Sequence, residues 1–130
     1  MTRLPKRKVN RIEDKHQMAY FEWLQRFHPT VYEVTIHVPN EGIRNQIYGH
    51  KMGIKPGMPD IVMFIASYMG GFLYHGLCIE MKRPIVKGKP KPVLSSEQST
   101  MIARLREKYY FCQVCYSWTE AKEVTEMYLG

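Results

Sequence analysis

The sequence has no apolar run that approaches the roughly 20 residues needed to cross a bilayer. The chain is 130 residues long, and its first eleven residues, MTRLPKRKVNR, lack the apolar core of a signal peptide. It also has no internal repeat and no low-complexity tract. We therefore expect a soluble, cytoplasmic protein with no membrane partner.

Cysteines and histidines form no recognisable structural site in the sequence. The three cysteines, Cys78, Cys112 and Cys115, are an odd number, which excludes a full disulfide framework. Cys112 and Cys115 have the spacing of half a zinc site or a redox pair, but no second ligand pair accompanies them. Odd spacing on a strand would point them to opposite faces, so we expect buried, unreactive thiols. The histidines have no metal-ligand spacing and are interpreted as packing or surface residues: His16, His28, His37, His50 and His75.

Acidic residues are fewer than basic ones, and the formal net charge is +7 with a pI near 9.4. Such a surface attracts polyanions, either nucleic acid or an anionic membrane. A membrane-binding protein of this kind would need a basic amphipathic helix, which is not found. The length fits one domain. We expect a flexible basic arm over residues 1–11 and a single folded domain over residues 12–130.

The hydrophobic pattern predicts a mixed α/β fold. A helix capped by Asn10 runs to about Phe27, and alternation over residues 31–38 predicts a strand. A short helix at about 43–52 precedes two hairpin strands, 61–66 and 74–81, with Gly70 and Gly71 in the loop between them. After an irregular, mobile loop at 84–93, Ser95 begins a helix to about residue 108. A strand at 111–116 and a helix from Ser117 to 129 follow.

The predicted hairpin brings three chemically active side chains together. If Gly70 marks its centre, facing residues have numbers that sum to about 140, so Asp60 lies opposite Glu80. Glu80 and Lys82 are two residues apart on one strand and project from the same face, about 7 Å apart. Met81 between them turns into the core. The sequence therefore predicts two carboxylates and an amine on one side of a sheet.

This arrangement suits hydrolysis of a phosphodiester. Magnesium prefers hard oxygen ligands, and Asp60 and Glu80 supply them. Lys82 can hold the attacking water against the phosphate or, with a lowered pKa, help to take its proton. Alternatively, Asp60 after Pro59 is an ordinary turn residue, and Glu80 with Lys82 is a solvated strand face. The apolar neighbours of Glu80 argue against the second alternative, because a charge in such a strand is costly unless it is used.

Pro59-Asp60, a hairpin and Glu80-Met81-Lys82 match the PD-(D/E)XK signature of restriction-endonuclease-like nucleases. Three longer segments resemble the VRR-NUC family of that superfamily: KMGIKPGMPD at 51–60, IEMKR at 79–83 and LSSEQ at 94–98. The likeness runs from about Glu13 to the C-terminus. It implies a restriction-endonuclease-like core, a mixed central sheet flanked by helices.

The resemblance also implies a set of site residues and a metal. Asp60 and Glu80 would bind Mg²⁺ or Mn²⁺, and Lys82 would be the catalytic lysine. Glu13 looks like the family's acidic residue on the first helix, although it is also placed to pair with Asn10 in a capping box, and Asp14 or Glu22 could serve instead. Gln98 resembles the family's motif glutamine and is equally placed to cap its own helix.

From these observations we expect a metal-dependent DNA endonuclease. The basic arm and the loop lysines would contact phosphates, with Lys55, Lys87, Lys89 and Lys91 as the candidates. The resemblance implies a short stand-alone protein of a bacterium or phage that acts as a homodimer on branched DNA, above all four-way (Holliday) junctions. The alternatives are a less selective flap or nicking nuclease and a DNA-binding module with a dead site.

Overall fold

The computed structural model describes residues 11–39 and 46–130, and the side chains of 12–39 and 48–130. The predicted basic arm, except for the backbone of Arg11, and the Asn10 cap lie outside this range. The helices are α1 (Arg11–Phe27), α2 (Pro29–Tyr32), α3 (Gln46–Lys51), α4 (Ser96–Glu107) and α5 (Trp118–Leu129). The strands are β1 (Thr35–His37), β2 (Ile61–Met63), β3 (Ser67–Met69), β4 (Phe72–Tyr74), β5 (Gly76–Met81) and β6 (Tyr110–Cys115).

Four strands form a mixed sheet in the order β1-β2-β5-β6. The first two pairs are antiparallel, and β5 and β6 run parallel with α4 as the crossover between them. A parallel pair needs such a crossover, and the helical segment after residue 95 supplies it. The predicted α/β class, a mixed central sheet flanked by helices, is confirmed.

The two faces of the sheet are covered by different helices. On one face, Ile61, Met63 and Leu77 pack with Tyr20 and Leu24 of α1, and α5 completes this core. The opposite face is smaller and is closed by α4. Its buried residues are Val62, Cys78, Cys112 and Ile102. Alternate residues of β2 and β5 thus serve opposite cores, which explains why both strands are apolar apart from Glu80.

The cysteines follow the same alternation. Cys112 belongs to the core under α4, whereas Cys115 belongs to the core under α1 and α5. All three cysteines are free and buried. The expectation of buried thiols that point to opposite faces is confirmed.

The register of the central antiparallel pair is the one predicted. Ile61 lies opposite Ile79 and Met63 opposite Leu77, so partner numbers sum to 140 throughout this ladder. The loop predicted between these strands is wrong in detail, because β3 and β4 form a second, two-stranded hairpin inside it. Gly70 and Gly71 make its two-residue turn with φ values of +57° and +83°, a conformation that favours glycine at both positions.

The strand predicted over residues 31–38 is also wrong at its beginning. Residues 29–32 form the short helix α2, with Pro29 in its first turn, where a proline's missing N–H costs nothing. The strand begins only at Thr35, whose hydroxyl donates to the carbonyl of Val31 at 2.7 Å. Thr35 is buried, while its apolar neighbours Val34 and Ile36 are exposed. The predicted apolar, buried side of this strand is therefore wrong: Ile36 and His37 are both exposed, and the buried position is the polar Thr35.

The later helices begin where predicted. Ser95 caps α4 in a full capping box with Gln98, and the Ser117 hydroxyl accepts from the N–H of Glu120 at the start of α5. The described part of α3 ends at Lys51, and Gly53 follows with a φ of +90°. Among the described residues, no helix is both long and apolar enough to cross a membrane.

Candidate active site

Asp60 and Glu80 enter the site from neighbouring strands. Asp60 follows the buried Pro59 and immediately precedes β2, and Glu80 is the penultimate residue of β5. The Asp60 carboxylate accepts a hydrogen bond from the backbone N–H of Met81 at 2.8 Å, which joins the start of one strand to the end of the other. Glu80 is only 3% exposed, so the carboxylate of Glu80 is almost completely removed from solvent. Two carboxyl groups therefore meet at one end of the sheet.

The two carboxyl groups have strongly altered proton affinities. Burial, reinforced by the negative charge of Asp60, raises the pKa of Glu80 to about 8. Burial also raises the pKa of Asp60, although the N–H of Met81 acts in the opposite direction. A hydrogen bond between the two carboxyl groups contributes to both shifts, and such a bond requires one of them to hold a proton. Near neutral pH the metal-free pair therefore holds a proton.

Lys82 lies beside this pair. Its ammonium nitrogen is 3.8 Å from Oε1 of Glu80, and its side chain is only 15% exposed. Residues 80 and 82 project to the same face of β5, as the spacing predicted, and Met81 between them is buried in the opposite core. The backbone N–H of Lys82 donates to the carbonyl of Cys115 at 2.8 Å, which extends the β5–β6 pairing by one residue and fixes where the lysine emerges.

Gln98 holds the carboxylate and the lysine in place. Its Nε2 donates to Oε1 of Glu80 at 2.9 Å, and its Oε1 accepts from the ammonium of Lys82 at 3.0 Å. The same Oε1 accepts from the N–H of Ser95 at 2.9 Å in the capping box. The amide orientation follows from these partners, because two donors face the oxygen and one acceptor faces the nitrogen. Gln98 thus caps its helix and binds two site residues at once.

A close backbone contact sets the distance between α4 and the segment that carries Asp60. Gly57 has a φ of +81°, and a Cβ at this position would lie 2.4 Å from the carbonyl carbon and oxygen of Glu97. Only glycine fits here, because both the conformation and the space exclude a side chain. The contact holds the segment before Asp60 against the first turn of α4, which carries Gln98.

The first-helix acid predicted as a metal ligand is Glu13. It is half-buried in the first turn of α1. No group of three or more His, Cys, Asp or Glu among the described residues is arranged to hold a metal. Its assignment as a metal ligand stays a prediction, as do the alternatives Asp14 and Glu22.

The basic loop after β5 lies next to the site in sequence and contains no helix or strand. Lys87 and Lys89 are exposed, and Gly88 between them has a φ of +85° in a turn closed by the N–H of Lys89 on the carbonyl of Val86. The ammonium of Lys91 lies 4.9 Å from the centre of the Tyr116 ring, a cation–π contact. Lys55 is exposed before Gly57. These lysines can meet a polyanion, and their assignment as phosphate contacts stays a prediction.

Sequence reasoning missed His37, which was interpreted as a packing or surface residue. Its Nδ1 lies 2.9 Å from the backbone carbonyl oxygen of Asp60, and since a carbonyl only accepts, the imidazole is the donor. The positive charge of a protonated His37 lowers the pKa of Asp60. The sequence could have indicated this contact only through the pairing of β1 with β2, which places His37 opposite Ile61. That pairing could not be aligned without the exact start of β1.

The donor atoms of the site fit a hard divalent cation. With Glu80 ionised, its Oε2 is buried and has no hydrogen-bond partner among the described residues. Leaving such an oxygen unpaired is costly, and a cation between the two carboxylates would satisfy it. A divalent ion would also replace the proton that the pair otherwise holds. Asp60 and Glu80 therefore have the ligand chemistry and the unmet charge of a metal site.

Comparisons with known proteins identify the fold. No protein-family model matches the sequence, and no curated protein matches it. A solved structure described as a VRR_NUC domain protein is similar, with a TM-score of 0.72 and 24% sequence identity over 90% of this chain and 87% of that one. The chain has the fold of that protein, as the resemblance of its motifs predicted.

Proposed function

We propose that this chain is a member of the VRR-NUC family and a divalent-metal-dependent DNA endonuclease. The observation that carries the proposal is the cluster of Asp60, Glu80 and Lys82, held by Gln98 at one end of the sheet. The similarity to a VRR_NUC domain protein supports it independently of that geometry. A basic chain with a formal charge of +7 suits a nucleic-acid substrate.

Asp60 and Glu80 would hold the metal, and Lys82 would act on the reacting phosphate. Mg²⁺ or Mn²⁺, when bound, supplies charge neutralisation and water activation. The ammonium of Lys82 is restrained by the Gln98 oxygen at 3.0 Å, so it reaches a phosphate oxygen or the attacking water from a fixed position. A purely structural ion pair of Glu80 with Lys82 would leave Oε2 of the ionised Glu80 buried with no hydrogen-bond partner among the described residues.

The exposed lysines of the 84–93 loop, together with Lys55, would contact phosphates on either side of the cleavage point. Such contacts position the DNA and carry no base preference. They extend the substrate beyond the single phosphate at the metal site. The enzyme would therefore prefer DNA whose shape lets several segments of its phosphate backbone reach these lysines at once.

The finer part of the proposal is that the enzyme is a homodimer that cuts four-way junctions. Two sites related by a two-fold axis suit two symmetric nicks. Exposed aromatic side chains on and beside the β3–β4 hairpin support self-association, since Tyr68 is 76% exposed, Phe72 55% and Tyr109 50%. A flap or nicking nuclease of lower selectivity is the alternative within the same class.

The test is cleavage of end-labelled DNA by the wild type and by Lys82→Ala, in magnesium and in manganese. We expect the variant to lose at least a hundredfold in single-turnover rate while its affinity for the DNA changes little, since general acid–base and positioning groups contribute on that scale. Lys108→Ala is the matched control, because Lys108 is an exposed lysine at the opposite end of α4.

The substrate panel separates the candidate functions. Four-way junctions, three-way junctions, flaps and plain duplexes are compared at equal concentration, and the mass in solution is measured by light scattering. Paired nicks in the four-way junction and a dimeric mass support the finer proposal. Equal cleavage of flaps indicates the less selective nuclease. DNA binding without cleavage of any substrate would identify a binding module with a dead site and refute the enzyme.

A further inference from the structure

An open cavity of about 350 Å³ lies beside the candidate active site, between α1, α2 and β1. Its lining includes the amides Gln17 and Gln25, the aromatic rings of Phe21 and Tyr32, and the imidazole of His37. The catalytic groups lie outside it, so the reaction described above gives it no role. Its volume is within the range of small-molecule sites, roughly 300–1,000 Å³.

His37 connects the cavity to the metal site. The imidazole lines the cavity, and its Nδ1–H donates to the carbonyl oxygen of Asp60 at 2.9 Å. The same side chain influences the Asp60 carboxyl group electrostatically. Only the His37 side chain therefore lies between a group bound in the cavity and Asp60, one of the residues that would hold the metal. His37 is the last residue of β1 and pairs with Ile61, so the cavity lies at the same end of the sheet as Asp60 and Glu80.

The chemistry of the lining distinguishes a base from a phosphate. No lysine or arginine is present among the described residues that line the cavity, so a phosphate would find no strong cation there. Phe21 and Tyr32 meet edge to face, with ring centres 6.3 Å apart and planes at 78°, and both are packed partly against the core while still lining the cavity. A flat, neutral heterocycle can stack on one such ring.

The polar groups match the edge of a base. Each glutamine amide presents both a donor and an acceptor, as nucleobase edges do, and Glu22 adds an acceptor at the rim. Proteins that recognise unpaired bases combine this hydrogen bonding with aromatic stacking. An aliphatic ligand would leave the amides without hydrogen-bond partners, whereas a base can use both the amides and a ring.

We infer that this cavity binds an unpaired nucleobase next to the scissile phosphate. The inference rests on the proposed function, since it takes the substrate to be DNA held at Asp60 and Glu80. It gives a physical reason for a preference for branched DNA, because a base at a branch is already unpaired and its extrusion costs less than that of a paired base. Fully paired duplex would leave the cavity empty.

The first experiment changes the DNA and leaves the protein intact. Two flap-containing substrates differ only at the unpaired nucleotide beside the cleavage point, which carries adenine in one and a stable abasic analogue in the other. Equilibrium binding to Lys82→Ala in magnesium is measured by fluorescence anisotropy. We expect the abasic DNA to bind roughly tenfold or more weakly, the scale of one lost base–aromatic stacking contact. Equal affinities overturn the inference.

A second experiment changes the cavity. Gln25→Ala removes an exposed side chain of α1 that packs in neither core, and Gln113→Ala, an exposed glutamine on the opposite edge strand β6, is the matched control. We expect Gln25→Ala to weaken binding of the adenine substrate severalfold and to leave the abasic substrate unchanged, while Gln113→Ala changes neither. Equal losses on both substrates contradict a base-specific contact.

The two proposals fail in different ways. If wild-type protein cleaves both DNAs at the same rate and binds them equally, the nuclease stands and the base-binding cavity is refuted. If wild-type protein cleaves neither DNA, the nuclease is refuted. In that case the anisotropy difference between adenine and abasic DNA still decides whether the cavity binds a base.

Discussion

Magnesium binding to this site should depend on pH through Glu80. Burial and the adjacent Asp60 raise the pKa of Glu80 to about 8, so below that pH the carboxyl group is mainly protonated. A metal requires the ionised form, and binding must therefore expel the proton. The affinity is then weakest at low pH and strengthens as the pH rises toward 8.

The size of the effect follows from the displacement of one proton. The affinity should rise roughly tenfold from pH 6 to pH 7 and about fivefold from pH 7 to pH 8, and it should level off above about pH 9, where little proton remains to be displaced. At pH 7, a group with a pKa of about 8 is about nine-tenths protonated, so each binding event should release about 0.9 proton. A carboxylate with an ordinary pKa would release almost none.

The assay is calorimetric titration of magnesium into the DNA-free protein at pH 6, 7 and 8. At pH 7 it is repeated in two buffers with different ionisation enthalpies, since the difference in apparent heat gives the number of protons released. Glu80→Gln is the control and should bind weakly at every pH, with no proton release. An affinity for the wild type that is the same at pH 6 and pH 8 would show that magnesium displaces no proton from Glu80.

Three further changes test the structural argument. Gly57→Ala should lower the free energy of unfolding by about 2 kcal/mol or more in urea denaturation, because it adds both left-handed backbone strain and a clash with the α4 backbone. Gly53 has a φ of +90° but nothing within 4 Å, so Gly53→Ala should lower the free energy of unfolding by the strain alone. In metal-free protein, the folded state binds the Glu80 proton more tightly than the unfolded state does, so the wild type should lose stability as the pH rises from about 4.5 to 8. Glu80→Gln should not show this loss. Its melting temperature should therefore rise relative to that of the wild type as the pH approaches 8. Lys89→Ala should reduce the slope of log affinity for DNA against log salt by about 0.9 if the lysine meets a phosphate, whereas Lys108→Ala should leave the slope unchanged.

The central register of the sheet could be predicted from the sequence, although the turn was only approximately located. The inner hairpin turns between Gly70 and Gly71, and its partner numbers sum to 141. From Met63 to Ser67 the chain advances four residues, whereas from Tyr74 to Leu77 it advances three, and this difference restores the sum of 140 in the outer pair. Periodicity detects neither connection, because both are fixed by tertiary contacts such as that of the Tyr128 hydroxyl with the carbonyl of Ile65.

The parts of the site that depend on local sequence spacing could be predicted, and the parts that depend on long-range packing could not. The two-residue spacing of Glu80 and Lys82 fixes their common face, and the capping-box spacing of Ser95 and Gln98 fixes the start of α4. The reach of Gln98 from that cap to the other two side chains depends on how α4 packs against the sheet. The close approach of Gly57 to α4 and the bond from His37 to Asp60 are long-range contacts of the same kind, and no sequence spacing encodes them.

The proposed metal site is tested most directly by the position of a bound manganese ion in a crystal of the DNA-free protein, located by its anomalous scattering. We expect one strong peak in contact with Oε2 of Glu80 and a carboxylate oxygen of Asp60, at a distance of roughly 2.0–2.3 Å, beside the Lys82 ammonium. The absence of a peak between these two carboxylates at saturating manganese and pH 8, or a peak only elsewhere on the chain, would contradict the assignment of this cluster as the metal site of a nuclease.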